Sequence, residues 1–280
     1  MAIFKDRQYF RVDLEKRADE SLWMRCKSCG ELVFKRRVRE SSNICPYCGE
    51  YFFLTAQERI ESLIDPGTFE DISLPIVSDD PLSFSDTIAY RERVEEAQRK
   101  TSLASAVVIG SVEIDSIPVV IGVMDFRFIG GSMGTVMGEQ ICHAMEEAIR
   151  LKRPFVLVSS SGGARIQEGL FSLMQMAKTA AVRARLADEK IPFISVMTYP
   201  TTGGVQASIA SLGDIVVAEK GALIGFAGRR VVQETIAEQL PDSYQTDVFA
   251  LEHGLIDNVV SREDLREHLS KALQFFSEKS

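Results

Sequence analysis

Apolar positions fall into two periodicities along this chain, and the change from one to the other marks its elements. Ala106 to Ile114 and Pro118 to Met124 are apolar, β-branched runs split by Asp115-Ser116, which predicts two buried strands joined as a hairpin. Val136 to Leu151 then reads as a helix, Phe155 to Ser160 as a buried strand, and Leu170 to Asp188 as a long helix. Phe193 to Thr198 is the next strand, with a helix after it that runs to about Leu212. Ile215 to Ala218 and Leu223 to Phe226 read as strands. Helical stretches around Asp247 to His253 and Arg262 to Ser277 close the chain. Strand, glycine turn and helix recur several times, which argues an α/β fold with strands buried on both faces. Short repeated units suit a stacked or spiral arrangement and also a doubly wound sheet; the pattern alone does not separate the two.

Upstream the pattern is weaker. Tyr90 to Lys100 is a charged helix, Ser78 to Ser85 a polar loop, and Ala56 to Asp65 a helix stopped by Pro66-Gly67. Before it lie two cysteine pairs, Cys26 and Cys29, then Cys45 and Cys48, spaced C-x2-C, fifteen residues, C-x2-C. Two intervening residues let both sulfurs of a pair reach one ion from a tight turn, and four thiolates close a tetrahedral shell around one structural Zn2+. Strands are expected over Glu31 to Arg37 and Tyr51 to Leu54, with Lys35, Arg36, Arg37 and Arg39 between them. The expected organisation is an N-terminal segment 1–21, a zinc ribbon 22–55 and a body 56–280.

Charge sharpens this division. The net charge is -8, yet residues 1–50 carry 11 Lys+Arg against 8 Asp+Glu, a net of +3, while the rest carries 21 against 32, a net of -11. No run approaches the roughly 18 apolar residues of a membrane span, and Met1 to Lys16 lacks the apolar centre of a secretory signal. Four of five cysteines in a metal pattern suit a reducing compartment; the fifth, Cys142, reads as a buried small hydrophobe.

Three glycine turns follow strands and precede helices: Gly130 to Gly134, Ser161 to Arg165, and Thr201 to Gly204. Backbone N–H groups at such turns lack partners, and glycine lets a ligand come close, so a turn of this kind can cradle a phosphate or hold a developing oxyanion. None has the Gly-Lys-Ser/Thr of a phosphate loop or the G-x-G-x-x-G of a dinucleotide site. His143, His253 and His268 lie in helical contexts, and Ser159-Ser160-Ser161 has no nucleophile elbow around it. The chemistry that suits backbone donors without a side-chain base is enolate chemistry on a thioester.

Ser161-Gly162-Gly163-Ala164-Arg165-Ile166-Gln167-Glu168-Gly169 resembles the S-G-G-A-R-[MI]-Q-E-G signature of the biotin-dependent carboxyltransferases. Asp125 to Gly134, Thr201 to Val205 and Gly225 to Val231 resemble further segments of that family, and with the ribbon the chain is similar to its acetyl-CoA-using β-type chains from about Leu22 onward. The resemblance implies a crotonase-like spiral of ββα units. It implies transfer of a carboxyl group from carboxybiotin on a carrier protein to acetyl-CoA, giving malonyl-CoA, the first committed step of fatty acid synthesis. The implied backbone donors are Gly163, Ala164, Gly203 and Gly204, with Gly130, Gly131, Met133, Arg165, Arg229 and Arg230 toward the CoA thioester. For Arg165, an ion pair with Glu168 is an equal reading. The implied partners are an α subunit in an α2β2 assembly, a biotin carboxyl carrier protein and biotin carboxylase, in a bacterial cytoplasm or a plastid; nucleotide (ATP) binding comes with the enzyme class. Two other readings compete: nucleic-acid binding by the basic ribbon, and another acyl-CoA enzyme of the same fold with Glu139 or Glu168 as its carboxylate.

Overall fold

The computed structural model describes residues 22–236 and 239–277, so the expected N-terminal segment 1–21 lies outside the described residues. The chain forms two compact units that divide between Phe52 and Phe53.

In the first unit, β1 (Trp23–Arg25) and β2 (Leu32–Phe34) pair antiparallel, and α1 (Lys35–Glu40) follows directly. The strand expected over Glu31 to Arg37 therefore stops at Phe34. Lys35, Arg36, Arg37 and Arg39 are on a helix, as their straight side chains favour, with Arg36 and Glu40 paired one turn apart at 2.9 Å. The strand expected at Tyr51 is reduced to a single bridge with Ile44. Cys26, Val33, Val38 and Cys45 form a small core.

The second unit opens with α2 (Ala56–Leu63). Thr55 caps it, with Thr55 Oγ1 accepting from Glu58 N–H and Glu58 accepting from Thr55 N–H, and Asp125 accepts from Ala56 N–H at 2.9 Å. Then come β3 (Glu70–Asp71), α3 (Tyr90–Thr101), and the hairpin of β4 (Val107–Ile114) and β5 (Ile117–Met124). Asp115 and Ser116 both have positive φ, 48° and 64°, the signature of the tight turn that matches strand twist. After α4 (Thr135–Leu151) follow β6 (Phe155–Ser161), α5 (Leu170–Asp188), β7 (Phe193–Thr202), α6 (Gly203–Gln206), β8 (Ile215–Glu219) and β9 (Ile224–Gly225). The chain ends with α7 (Arg229–Ile236), α8 (Asp247–Glu252), β10 (Asn258–Val260) and α9 (Leu265–Ser277).

The sheet order is β10-β8-β7-β6-β5-β4-β3, antiparallel from β3 to β5 and parallel from β5 onward. Among the described residues the order never reverses and shows no doubly wound switch point; each unit is laid beside the previous one, as in a spiral. Alternate residues of each strand enter opposite layers. Phe155 and Leu157 of β6 pack with α4 and α5, while Val156 and Val158 pack with α2 and α9. Beyond Ser159 the register of β6 and β7 shifts; Ser161 then pairs with Thr201, and Thr201-Thr202 pair with β9. This extension carries the glycine turns out of the main sheet and brings them together.

Candidate active site

The turns after β6 and β7 meet backbone to backbone. A methyl group built on Gly163 (φ 114°) would lie 3.1 Å from Gly203 Cα, and one on Gly203 (φ 61°) 3.0 Å from Gly163 Cα. At both positions glycine is required twice over, for the positive φ and for the approach. The segment before α4 is zipped to the same turn: Gly162 N–H donates to Gly130 O, Met133 N–H to Gly163 O, and Arg165 N–H to Met133 O.

The four expected donors divide evenly. Gly163 N–H donates to Ser161 Oγ at 3.0 Å, and Gly203 N–H to Phe226 O at 3.1 Å. Among the described residues, no acceptor meets the N–H of Ala164 or that of Gly204. These two are neighbours, since a methyl on Gly204 would lie 3.6 Å from Ala164 N. Each turn thus offers one uncommitted donor. The helix after Gly204 is a single turn, so the N–H groups themselves and not a macrodipole are what the second turn contributes.

Of its two expected readings, Arg165 follows the ion pair with Glu168 and does not face a ligand. It is 2% exposed, and its guanidinium donates to Tyr90 Oη at 3.0 Å, to Glu168 at 3.3 Å, and to the hydroxyl and carbonyl oxygens of Ser132 at 3.1 and 2.7 Å. Glu168, fully buried, accepts from Tyr90 Oη–H at 2.5 Å and from Thr135 N–H at 2.6 Å, so its carboxylate caps α4. Burial pushes the Tyr90 hydroxyl above its ordinary pKa against the pull of Arg165, keeping it a neutral donor. The alternative reading that made Glu168 a catalytic carboxylate fails because both its oxygens are occupied. Glu139 is paired with Lys178.

Of the remaining expected substrate contacts, Met133 is fully buried in the core, because the bridge to Ala164 turns its side chain inward. Gly131 is pressed against the end of β6, where a methyl would lie 2.1 Å from Ser160 O, and Gly130 has open space around it. Arg229 and Arg230 begin α7, and their side chains lie outside the described residues. The hydroxyls at the strand ends are staples, not nucleophiles: Thr198 and Thr201 donate to Ser159 O, and Thr202 to Ser161 O. The expectation of ATP binding finds no support, since the glycine turns are packed on one another and not open as a phosphate loop. Cys142 is buried, which pushes its thiol up to about 12.

The four ribbon sulfurs lie within 4.8 Å of one another, with Cys26 to Cys48 at 3.7 Å and Cys29 to Cys45 at 3.9 Å. A tetrahedron of Zn–S bonds of about 2.3 Å has edges of about 3.8 Å, so the residues fit a structural zinc ion with no open position. Both knuckles have one geometry: Gly30 N–H donates to Cys26 O and Gly49 N–H to Cys45 O, with φ of 76° and 77° at the glycines. No described helix is long and apolar enough to cross a membrane.

Two domain descriptions match this chain: a carboxyl transferase domain over residues 53–278 and an acetyl-CoA carboxylase zinc finger domain over residues 23–48. The acetyl-coenzyme A carboxylase carboxyl transferase subunit beta of Carboxydothermus hydrogenoformans is 47% identical over 279 residues, which is 99% of each chain. Transcarboxylase 12S, solved with methylmalonyl-coenzyme A bound, is similar at a TM-score of 0.65 and 26% identity over 85% of this chain. This chain spans 43% of the transcarboxylase chain. A Pseudomonas malonate decarboxylase hetero-tetramer in complex with malonate is similar at a TM-score of 0.62 and 25% identity, over 80% of this chain and 82% of that one.

Proposed function

This chain belongs to the carboxyl transferase family, in its acetyl-CoA carboxylase subunit beta type, and on that premise we propose that the two meeting turns are where a carboxyl group passes from carboxybiotin to acetyl-CoA. The observation that carries this reading is that each turn offers one uncommitted N–H, from Ala164 and from Gly204, at a place where backbone approaches backbone.

Biotin, carried on a partner protein, would supply the carboxyl group as carbon dioxide and, at its freed ureido nitrogen, a place for the proton of the acetyl methyl group. The acetyl methyl group loses that proton, negative charge moves onto the thioester oxygen, and the methyl carbon then forms the new C–C bond to the released carbon dioxide. This chain's part is to hold oxygen atoms as charge develops on them. One preorganised donor of this kind contributes about 3–4 kcal/mol in the transition state. No protein base is needed, which fits a site in which Glu168 and the hydroxyls of Thr198, Thr201 and Thr202 are internally bonded. Arg165, Glu168 and Tyr90 are positioning residues: they lock the 161–169 turn onto the start of α4. The same reading gives this chain an α-type partner in an α2β2 assembly, a biotin carboxyl carrier protein and biotin carboxylase as associates, and the bacterial cytoplasm as its place.

Malonyl-CoA-dependent carboxylation of free biotin, assayed with and without an α-type subunit, tests the reading. Activity that appears only with the partner is expected. No turnover from the zinc-loaded, folded pair would sink it.

A further inference from the structure

The two turns that hold the uncommitted donors carry almost no side chain. Gly163, Ala164, Gly203 and Gly204 bring a single methyl group between them. One long side chain reaches the same point. A methyl built on Gly204 would lie 3.3 Å from Met176 Sδ and 3.3 Å from Ala164 Cβ, with Ala164 N at 3.6 Å. The thioether of Met176 therefore stands beside both donors. Helix α5 fixes it there. Gln175 is buried and fills the space left by Gly138 of α4, where a methyl would lie 2.3 Å from Gln175 Oε1, so α5 is held against rolling. On the same buried side, Gln175 Nε2 donates to Phe171 O, and Thr179 Oγ1 donates to Gln175 O and Met176 O. One residue on from Gln175 is a step of about 100° round the helix, which carries Met176 off that side and toward the second turn. Met176 is half-buried and packs on the core, whereas Leu170, Leu173 and Met174 of the same helix are exposed. An unbranched thioether of this kind fills irregular gaps and moulds to what it meets.

We propose that Met176 determines which acyl group this site accepts. The thioester oxygen lies between Ala164 N–H and Gly204 N–H, and the Met176 side chain closes the space into which the acyl chain extends. An acetyl group fits that space, and a longer acyl group meets the thioether. The proposal rests on the function proposed above and adds its acyl range. The geometry favours it because the donors fix the oxygen, and the acyl methyl carbon is only two bonds from that oxygen. The methyl must then lie among the atoms that surround the donors. Of these the glycines offer no wall and Ala164 only its methyl, so Met176 alone has the length to set a limit. A residue with a purely packing role would lie on the buried side with Gln175 and not half-buried beside two unbonded N–H groups. One methylene more or less against an apolar wall is worth about 10–200-fold in selectivity.

The test uses the complex of this chain with the α subunit of the same carboxylase. Carboxylation of free biotin is followed with malonyl-CoA and with methylmalonyl-CoA, and dissociation constants for acetyl-CoA and butyryl-CoA are measured by calorimetry. Met176→Ala is expected to raise the kcat/KM ratio of methylmalonyl-CoA to malonyl-CoA at least about 10-fold, the low end for one methylene. Butyryl-CoA should tighten relative to acetyl-CoA in the same variant. Met176→Leu, of similar volume, and Met174→Ala, an exposed methionine of the same helix, should keep the wild-type ratios. If the alanine variant melts early, Met176→Val is read in the same way. Unchanged ratios in a folded variant overturn the proposal. So does a loss of kcat/KM equal for both substrates, because the side chain then only supports packing. A wild-type complex that binds acetyl-CoA but does not carboxylate biotin counts against the proposed function, and the two dissociation constants then decide the acyl wall by themselves.

Discussion

Gly163 shows how much a single position controls. Its φ of 114° is one that an L side chain rarely adopts, and a methyl there would stand 3.1 Å from the backbone of the opposite turn. Gly163→Ala is expected to push the turns apart and misplace Ala164 N–H, lowering kcat of the complex by about 10²–10³-fold, the cost of losing one oxyanion donor. A kcat within a few-fold of wild type in a folded variant would show that the turns tolerate separation. Arg165 teaches a different lesson. The nine-residue signature and the Arg165–Glu168 pair within it were legible in the sequence, but the rest of the Arg165 network was not, because Ser132 and Tyr90 are 33 and 75 positions away. Arg165→Met leaves the Glu168 carboxylate buried without its cation, and is expected to cost about 3–5 kcal/mol in urea unfolding. A cost below about 1 kcal/mol, the range of a surface pair, would contradict the buried network.

At the scale of elements, long periodic segments were read correctly, as were the short β8, β9 and α8. β3 and β10 went unread, and the helix expected to run to about Leu212 is the single turn α6. α4, α5 and the β4–β5 hairpin fall within a few residues of the expectation, because each has several turns or a full strand of pattern plus a turn signal. β10 and β3, with three and two residues, have no period to read and exist only through their neighbours β8 and β4. The N-terminus of α2 illustrates such tertiary control. Burial pushes the Asp125 carboxyl up, but the hydrogen bonds from Arg127 and from Ala56 N–H outweigh it and hold the group below the usual carboxylate range. A depressed carboxylate contributes stability that is present above its unfolded pKa of about 3.9 and is lost as pH falls through the folded value. Asp125→Asn is therefore expected to destabilise the protein at pH 7 by an amount that shrinks as the pH drops below about 4. A difference in unfolding free energy that stays constant from pH 7 to pH 3 would rule the carboxylate out as its source.

For the whole molecule, the sequence pattern left a spiral and a doubly wound sheet equally open, since strand order is a property of distant pairings that no local window contains. What the sequence did disclose was the separateness of the two units, through the shift from a basic front to an acidic body and through the cysteine spacing. The structure adds that each unit has its own core: Cys26, Val33, Val38 and Cys45 in the ribbon, and two layers built from residues after Phe52 in the body. Zinc binding in modules of this kind supplies about 10–16 kcal/mol of folding free energy, more than so small a core can replace. The chain's single tryptophan, Trp23, stands in β1 with its ring 5.3 Å from Phe34 of β2, so its signal reports on the ribbon alone. Chelation at neutral pH is expected to change Trp23 emission and its near-UV dichroism, while the far-UV helical signal and the main melting transition, which belong to the body, persist. Cys29→Ser is expected to reproduce the tryptophan change without chelator, since three thiolates leave the shell open. Collapse of the helical signal together with the tryptophan change would mean that the body cannot stand without the metal, and that its two packed layers are not a sufficient core.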